Sequence, residues 1–511
     1  MPFTSLSFIG FVAVSLIAYY LVPRRSKWVA LLAASYVFYA AGGWRMVFYI
    51  MYTTLVTYSA GMVLGRLNAK LTGLPRDCAS YIRIRKLKKL VAAAALLLCL
   101  GLLFMFRYWN FSVSAVTSSD RFMLNLVVPL GVSFYIFQSV GYVIDVYRAK
   151  HPPETNPAKY ALFVSFFPQV VQGPIGRFHH LAPQLTAGAA LDWTNIKFGI
   201  QLAMLGYFKK LVIADRAGIA VNEIFYNIGG HGGTVIAFAV FLYCIQLYCA
   251  FSGGIDITRG VAKMLGIEMA ENFRRPLFAT SLADFWRRWH ITLGAWLKDY
   301  LFFSMALSKP LVRIGQFTRK RVGGTLGKII PTSMCTFAVY FAIGIWHGAS
   351  FRFIAFGLWN GIIITSSLLL AGLYSAVKKR LRINSEARWW WVFSILRTSF
   401  IVFLGRYMTR APRFMYGVRM LWRTFTDFRP RVLLDGTLLG FGLNRFDMLV
   451  ILLATLAVVG VEYYQERGGK VRETLEKRGF FVQWAAVVLP LAAIIFLGLW
   501  GQAEQFIYGQ L

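Results

Sequence analysis

The chain alternates between long apolar runs and short polar connections that are mostly basic. Apolar runs occupy residues 5–22, 28–41, 46–64, 90–108, 122–143, 198–214, 235–251, 291–306, 332–346, 353–373, 390–404, 446–461 and 481–499. About twenty such residues cross a hydrocarbon layer roughly 30 Å thick as a helix. Backbone in lipid must satisfy its own hydrogen bonds, which a helix does. The pattern therefore predicts an all-α, polytopic transmembrane protein with about eleven to thirteen hydrophobic segments.

Two stretches in the middle break this rhythm. Residues 160–171 are too short to span and are stopped by Pro168 and the Gly173-Pro174 pair. Residues 285–300 read as one amphipathic helix. At about 100° per residue, Trp286, Trp289, Leu293, Trp296, Leu297 and Tyr300 form one face, and Asp284, Arg287, Arg288, Lys298 and Asp299 the other. Interfacial or re-entrant helices fit both stretches, because half-spanning backbone survives at membrane depth only under a cover of protein or around a water-filled cavity. A site is expected in this irregular middle. No linker, low-complexity tract or internal repeat divides the chain, so residues 1–511 are read as one membrane domain.

Composition agrees: 58% of residues are hydrophobic and 15% charged, far from the soluble average. The formal charge of +34 changes the picture only through its placement. Residues 66–89 hold eight bases against the single acid Asp77, and residues 309–328 hold six bases and no acid. Such clusters between apolar runs mark cytoplasmic loops facing anionic lipid, and they remove the need for nucleic acid as a partner. The first run has no basic residue before it, and Arg24, Arg25 and Lys27 follow it; it reads as a first spanning helix starting outside and not as a removed signal. The expected localisation is the inner (cytoplasmic) membrane. Five scattered cysteines build neither a disulfide framework nor a metal site.

Candidate chemistry centres on two of the six histidines. His347 ends an apolar helix in Gly344-Ile-Trp-His-Gly-Ala-Ser350, beside Gly348 and Ala349, which leave room for a ligand. A titratable ring in such surroundings faces the protein interior and has a task more often than not. His290 falls at the edge of the apolar face of residues 285–300, where an in-plane membrane anchor is an equal reading. His151, His179, His180 and His231 sit in polar or Gly/Pro-rich connections and read as loop residues. No metal is expected, since neither histidine has a second ligand at zinc-site spacing. Cys335 precedes His347 by twelve positions, roughly 18 Å along one helix, too far to act as its nucleophile. Asp145 with Arg148, and Asp256 with Arg259, are spaced as helical ion pairs. The cluster Glu271-Asn272-Phe-Arg274-Arg275-Pro276 fits either an anionic acyl donor or a lipid headgroup.

Several of these segments also carry a resemblance. Pro129-Leu-Gly-Val-Ser-Phe-Tyr135, Asp145-Val-Tyr-Arg148, Phe166-Phe-Pro-Gln-Val-Val-Gln-Gly-Pro-Ile175, Phe208-Lys-Lys-Leu-Val-Ile-Ala-Asp215, Asp284-Phe-Trp-Arg-Arg-Trp-His290 and Trp346-His-Gly-Ala-Ser350 occur in the order seen in membrane-bound O-acyltransferases. The chain is most similar to the bacterial branch that includes the membrane subunit of alginate O-acetyltransferase, with the D-alanyl transfer protein of teichoic acid synthesis as a relative. Matching segments run over residues 26–421.

The resemblance implies a catalytic core at residues 120–375, C-terminal transmembrane helices at 376–511, and a ring of helices around a central tunnel. It implies His347 as the catalytic histidine and His290 as the second, with Asn272, Arg274, Arg275, Arg288, Trp289 and Trp346 as candidate substrate-binding residues. The expected activity is transfer of an acyl group, acetyl first, from a cytoplasmic thioester toward hydroxyls of an exported polysaccharide or envelope polymer. Acetyl-CoA or an acyl carrier protein would be the donor substrate, and no cofactor is permanently bound. Partners would be an extracytoplasmic acyltransferase, a carrier protein on the cytoplasmic face and membrane lipids. Rival readings are D-alanyl transfer to teichoic acid and a non-enzymatic polysaccharide or lipid transporter. One departure stands out: the family's Phe-Asp-Phe-Ser-Gly-Tyr stretch reads Cys249-Ala-Phe-Ser-Gly-Gly254 here, which weakens the case for alginate itself as acceptor.

Overall fold

In a computed structural model, which describes residues 1–117 and 122–501, the chain is predominantly helical, with no named strand among the described residues. It divides into two compact units. The first holds α1 (Leu6–Leu21), α2 (Lys27–Ala40), α3 (Trp44–Leu71), α4 (Ala79–Arg107), α5 (Val132–Tyr147), α6 (Pro157–Ser165) and α7 (Phe167–Val170). A long helix, α8 (Gly233–Met264), contributes residues to each unit. The second contains α9 (Leu282–Arg288), α10 (Ile291–Leu297), α11 (Gly324–His347), α12 (Phe351–Leu369), α13 (Arg388–Arg410), α14 (Arg445–Glu466) and α15 (Phe480–Leu497). Among the described residues, eight helices suit a membrane crossing by length and composition: α3, α4, α8, α12, α13, α14, α15 and residues Gly327–His347 of α11. The all-α polytopic architecture expected from the apolar runs is therefore present. Of these, α8 is the interior one, with 72% of its most apolar stretch buried, as suits a helix apolar on every side.

In the first unit, the apolar run at 122–143 starts its helix only at Val132. Pro129 lacks an N–H, and Gly131 adopts φ 69°, so the chain cannot be helical earlier. A Cβ at residue 131 would fall 1.8 Å from the Val170 carbonyl oxygen, a close approach that only glycine permits. The short apolar stretch near Pro168 forms α6 and α7; α7 is wholly buried, and α6 is buried at Tyr160 and from Leu162 to Ser165. Its polar groups are satisfied internally: Tyr160 Oη donates to Thr57 Oγ1 at 2.8 Å, and Phe167 N to Ser35 Oγ at 3.1 Å. The Gln138 amide donates to the Phe163 carbonyl and accepts from Gln169. Asp145 forms a salt bridge to Lys150 at 3.0 Å, a partner beyond the helical spacing considered above. His179 and His180 lie on the helix Phe178–Ala187, not in a connection.

In the second unit, two of the buried cations are paired with carboxylates. Lys210 bonds Asp215 beside a π-helical stretch at Phe208–Ala214. Arg216 reaches Asp447 in the first turn of α14, and its other nitrogen donates to the Leu497 carbonyl at 2.6 Å. Helices α11 and α12 meet closely because Gly344 and Gly357 face one another; a Cβ on either would lie 2.9 Å from the other's Cα.

Candidate active site

Residues 285–300 do not form the single amphipathic helix that their periodicity predicts. Ser281 caps α9 by accepting from Asp284 N, and the helix ends at Arg288. Trp289 is extended and pairs antiparallel with Phe273. His290 then takes a left-handed conformation, φ 48° and ψ 49°, and α10 begins at Ile291. Wheel geometry fails because a neighbouring segment competes for the backbone: Arg274 N donates to Arg288 O at 2.9 Å, and Ile291 N to Asn272 O at 3.0 Å. Past α10 the helix widens into a π-turn at Lys298–Phe302. His290 is 1% exposed, so it faces protein and not lipid, and it sits at a strained turn. Strain of this kind persists where surrounding structure fixes it, often at functional sites.

His347 is the last residue of α11 and is 8% exposed. The space beside Gly348 that the sequence left for a ligand is filled by the Phe353 ring, 2.8 Å from where a Cβ would stand. Phe356 closes another side, its centroid 5.8 Å from the imidazole. The two histidines, 57 positions apart in sequence, approach through Trp346. Its indole is edge-on to His290 at 5.5 Å and to His347 at 5.2 Å. Phe251 from α8 adds a wall against His290 at 5.0 Å. Burial, and secondarily the neighbouring His347, hold the His290 imidazolium pKa well below the ordinary histidine value. His290 is therefore neutral at physiological pH.

Asn272 is fully buried against this turn. Its Oδ1 accepts from Thr292 N at 3.0 Å and Thr292 Oγ1 at 2.9 Å, and lies 3.4 Å from His290 Nδ1. Trp289 stacks on Phe285 at 5.4 Å and carries the Arg406 guanidinium over its ring at 5.1 Å. The three candidate arginines are placed differently. Arg275 and Arg288 both bond Glu466, at 2.7 and 2.9 Å, and Arg288 also bonds Asp284 at 3.1 Å. Arg274 is exposed and pairs with Glu271 at 2.9 Å. The structure thus gathers His290, His347, Trp346, Trp289 and Asn272, and sets Arg275 and Arg288 into an ion cluster.

Sequence reasoning missed that cluster's acid, and it missed Tyr248, whose hydroxyl donates to the buried Glu462. A signal existed: Glu462 and Glu466 sit one helical turn apart at the end of an apolar run, in a chain with 21 acids against 55 bases. Among the described residues no group of three or more His, Cys, Asp or Glu is placed to hold a metal. In the same unit, α8, α13 and α14 border an apolar cavity of about 760 Å³ lined by residues including Phe241, Cys244, Tyr248, Phe403 and Val458, within the usual volume of ligand pockets.

Comparison with known proteins bears on this geometry. Residues 148–318 match the MBOAT, membrane-bound O-acyltransferase family. The chain is 31% identical over 475 residues to probable alginate O-acetylase AlgI of Pseudomonas syringae pv. tomato, covering 89% of this chain and 81% of that protein. It is 29% identical over 365 residues to peptidoglycan O-acetyltransferase of Helicobacter pylori, 65% of each chain. It is 24% identical over 290 residues to teichoic acid D-alanyltransferase of Bacillus subtilis, 56% of this chain and 69% of that one.

Proposed function

This chain belongs to the membrane-bound O-acyltransferase family and is a multi-pass membrane acyltransferase, and from that premise we propose that it moves an acetyl group from a cytoplasmic thioester toward hydroxyls of an exported polysaccharide or other envelope polymer. The observation that carries this reading is the Trp346 indole in contact with both buried imidazoles. His347 accepts the proton of the acceptor hydroxyl as its oxygen attacks the thioester carbonyl. A C–O bond forms, the C–S bond breaks, and the proton leaves with the thiol. General-base action of this kind contributes about 10²–10⁴-fold. His290, neutral in its aromatic enclosure, either orients the acceptor or stabilises developing charge. Acetyl-CoA or a charged carrier protein serves as donor and is consumed, so no cofactor stays bound.

The enzyme sits in the inner membrane, and the acyl group crosses through a passage beside the two histidines. An extracytoplasmic acyltransferase partner receives it, while the basic stretches at 66–89 and 309–328 face the cytoplasm. Similarity to teichoic acid D-alanyltransferase supports D-alanyl as the alternative acyl group. The test is His347→Ala in cells, with ester-linked acyl groups on envelope material measured against membrane abundance of the protein. Loss of esters at unchanged abundance is expected; unchanged esters would favour a transporter. Labelled acetate against labelled D-alanine then identifies the group carried.

A further inference from the structure

The turn that presents His290 is held from outside its own helix, and the holder is Asn272. The amide orientation of Asn272 is fixed by its neighbours. Thr292 N–H and Thr292 Oγ1–H both point at one atom, 3.0 and 2.9 Å away, and two donors demand an oxygen there. The same Oδ1 faces His290 Nδ1 at 3.4 Å. An amide oxygen can only accept, so the ring nitrogen facing it carries the proton. A neutral imidazole protonated on Nδ1 has its lone pair on Nε2. Backbone pairing secures the arrangement, with Ile291 N bonded to Asn272 O at 3.0 Å, and Phe251 and Trp346 wall the ring at 5.0 and 5.5 Å.

We propose that Asn272 is a positioning residue that fixes His290 as the Nδ1–H tautomer, so that Nε2 accepts a hydrogen bond from the acceptor hydroxyl. Of the two roles left open for His290, this selects orientation of the nucleophile over donation to a developing oxyanion, which an unprotonated nitrogen cannot perform. The bland account is that Asn272 merely caps α10. That accounts for both bonds to Thr292 but requires no contact with the imidazole.

The experiment uses the full-length protein in lipid nanodiscs. ¹⁵N-histidine spectra, with His290 identified by its loss in His290→Gln, report the tautomer, and steady-state transfer from a thioester donor gives kcat and KM. Asn272→Leu, which removes the acceptor at nearly constant volume, is expected to shift His290 away from Nδ1–H. It should lower kcat on the order of tenfold or more while KM for the donor stays within about twofold, the signature of a positioning defect. Asn272→Asp keeps the accepting oxygen and should restore the tautomer and most of the rate. Thr292→Val removes one cap bond and should leave the tautomer unchanged. An unchanged His290 tautomer in Asn272→Leu, or its loss in Thr292→Val, overturns the proposal. The activity arm rests on the acyl-transfer reading and the spectroscopic arm does not. A shifted tautomer with an unchanged rate therefore supports the positioning by Asn272 and sinks the role of His290 in transfer.

Discussion

Arg288 and His290 are two residues apart, yet their surroundings treat polarity in opposite ways. Around Arg288, charge meets charge: two guanidiniums share Glu466, and Asp284 joins them. Around His290 the walls include Phe251 and Trp346, the neutral amide of Asn272 is a polar neighbour, and burial disfavours the charged form of the ring. The first arrangement suits scaffold, because paired charges cancel the cost of leaving water and their removal exposes that cost again. The second suits chemistry, because a neutral imidazole in an apolar enclosure keeps a lone pair available for proton transfer. The extended residue Trp289 separates the two, and its pairing with Phe273 lets one short stretch serve both.

If the contrast holds, perturbing each side should move a different observable. The largest effect is expected on the imidazole side. His347→Gln in purified protein should lower the acyl-transfer rate by about 10²–10⁴-fold with little change in thermal unfolding, since the amide fills much of the same space. A large fall in melting temperature with activity retained per folded molecule would place His347 in the scaffold instead. On the charged side, Glu466→Ala leaves Arg275 and Arg288 without their shared carboxylate. Hydrogen bonds to charged groups contribute about 1.5–3 kcal/mol, so a clear loss of stability is expected, measurable as a lower midpoint in detergent. The rate per folded molecule should change by less than about threefold, which separates this region from the first.

The sequence made the membrane helices legible because hydrocarbon imposes a length and an apolar composition that few soluble segments share. It singled out His347 because a titratable ring ending an apolar helix has no cheap solvent-facing explanation, whereas the pattern around His290 was evenly balanced between a site and an in-plane anchor. The turn at His290 was hidden for a specific reason. Periodicity scores a segment against itself, whereas the break arises from backbone bonds that residues 272–274 offer across sixteen or so positions. The same limit applies to Arg275 and Arg288. Their basic cluster invited an anionic ligand, and the carboxylate they meet, Glu466, comes from nearly two hundred residues downstream. Gly348 misled in a smaller way, since a glycine marks space without saying what fills it; here Phe353 does.

The finest test of the contrast is Arg274, which belongs to the same basic cluster but to neither region. Its side chain is 61% exposed and pairs with Glu271, whose side chain is 46% exposed. Exposed ion pairs contribute about 0–1 kcal/mol, so Arg274→Ala should leave the unfolding midpoint nearly where it was, unlike Glu466→Ala. With its charge not held inside an ion cluster, Arg274 is the arginine of the three best placed to meet an anionic donor from the aqueous side. Such a contact acts on binding in ground and transition states alike, so KM for the donor should rise a few-fold at constant kcat, and the increase should shrink as salt screens the charge. A KM indifferent to both the substitution and ionic strength would return Arg274 to the ordinary solvated surface, and would leave donor recognition to the aromatic side of the site.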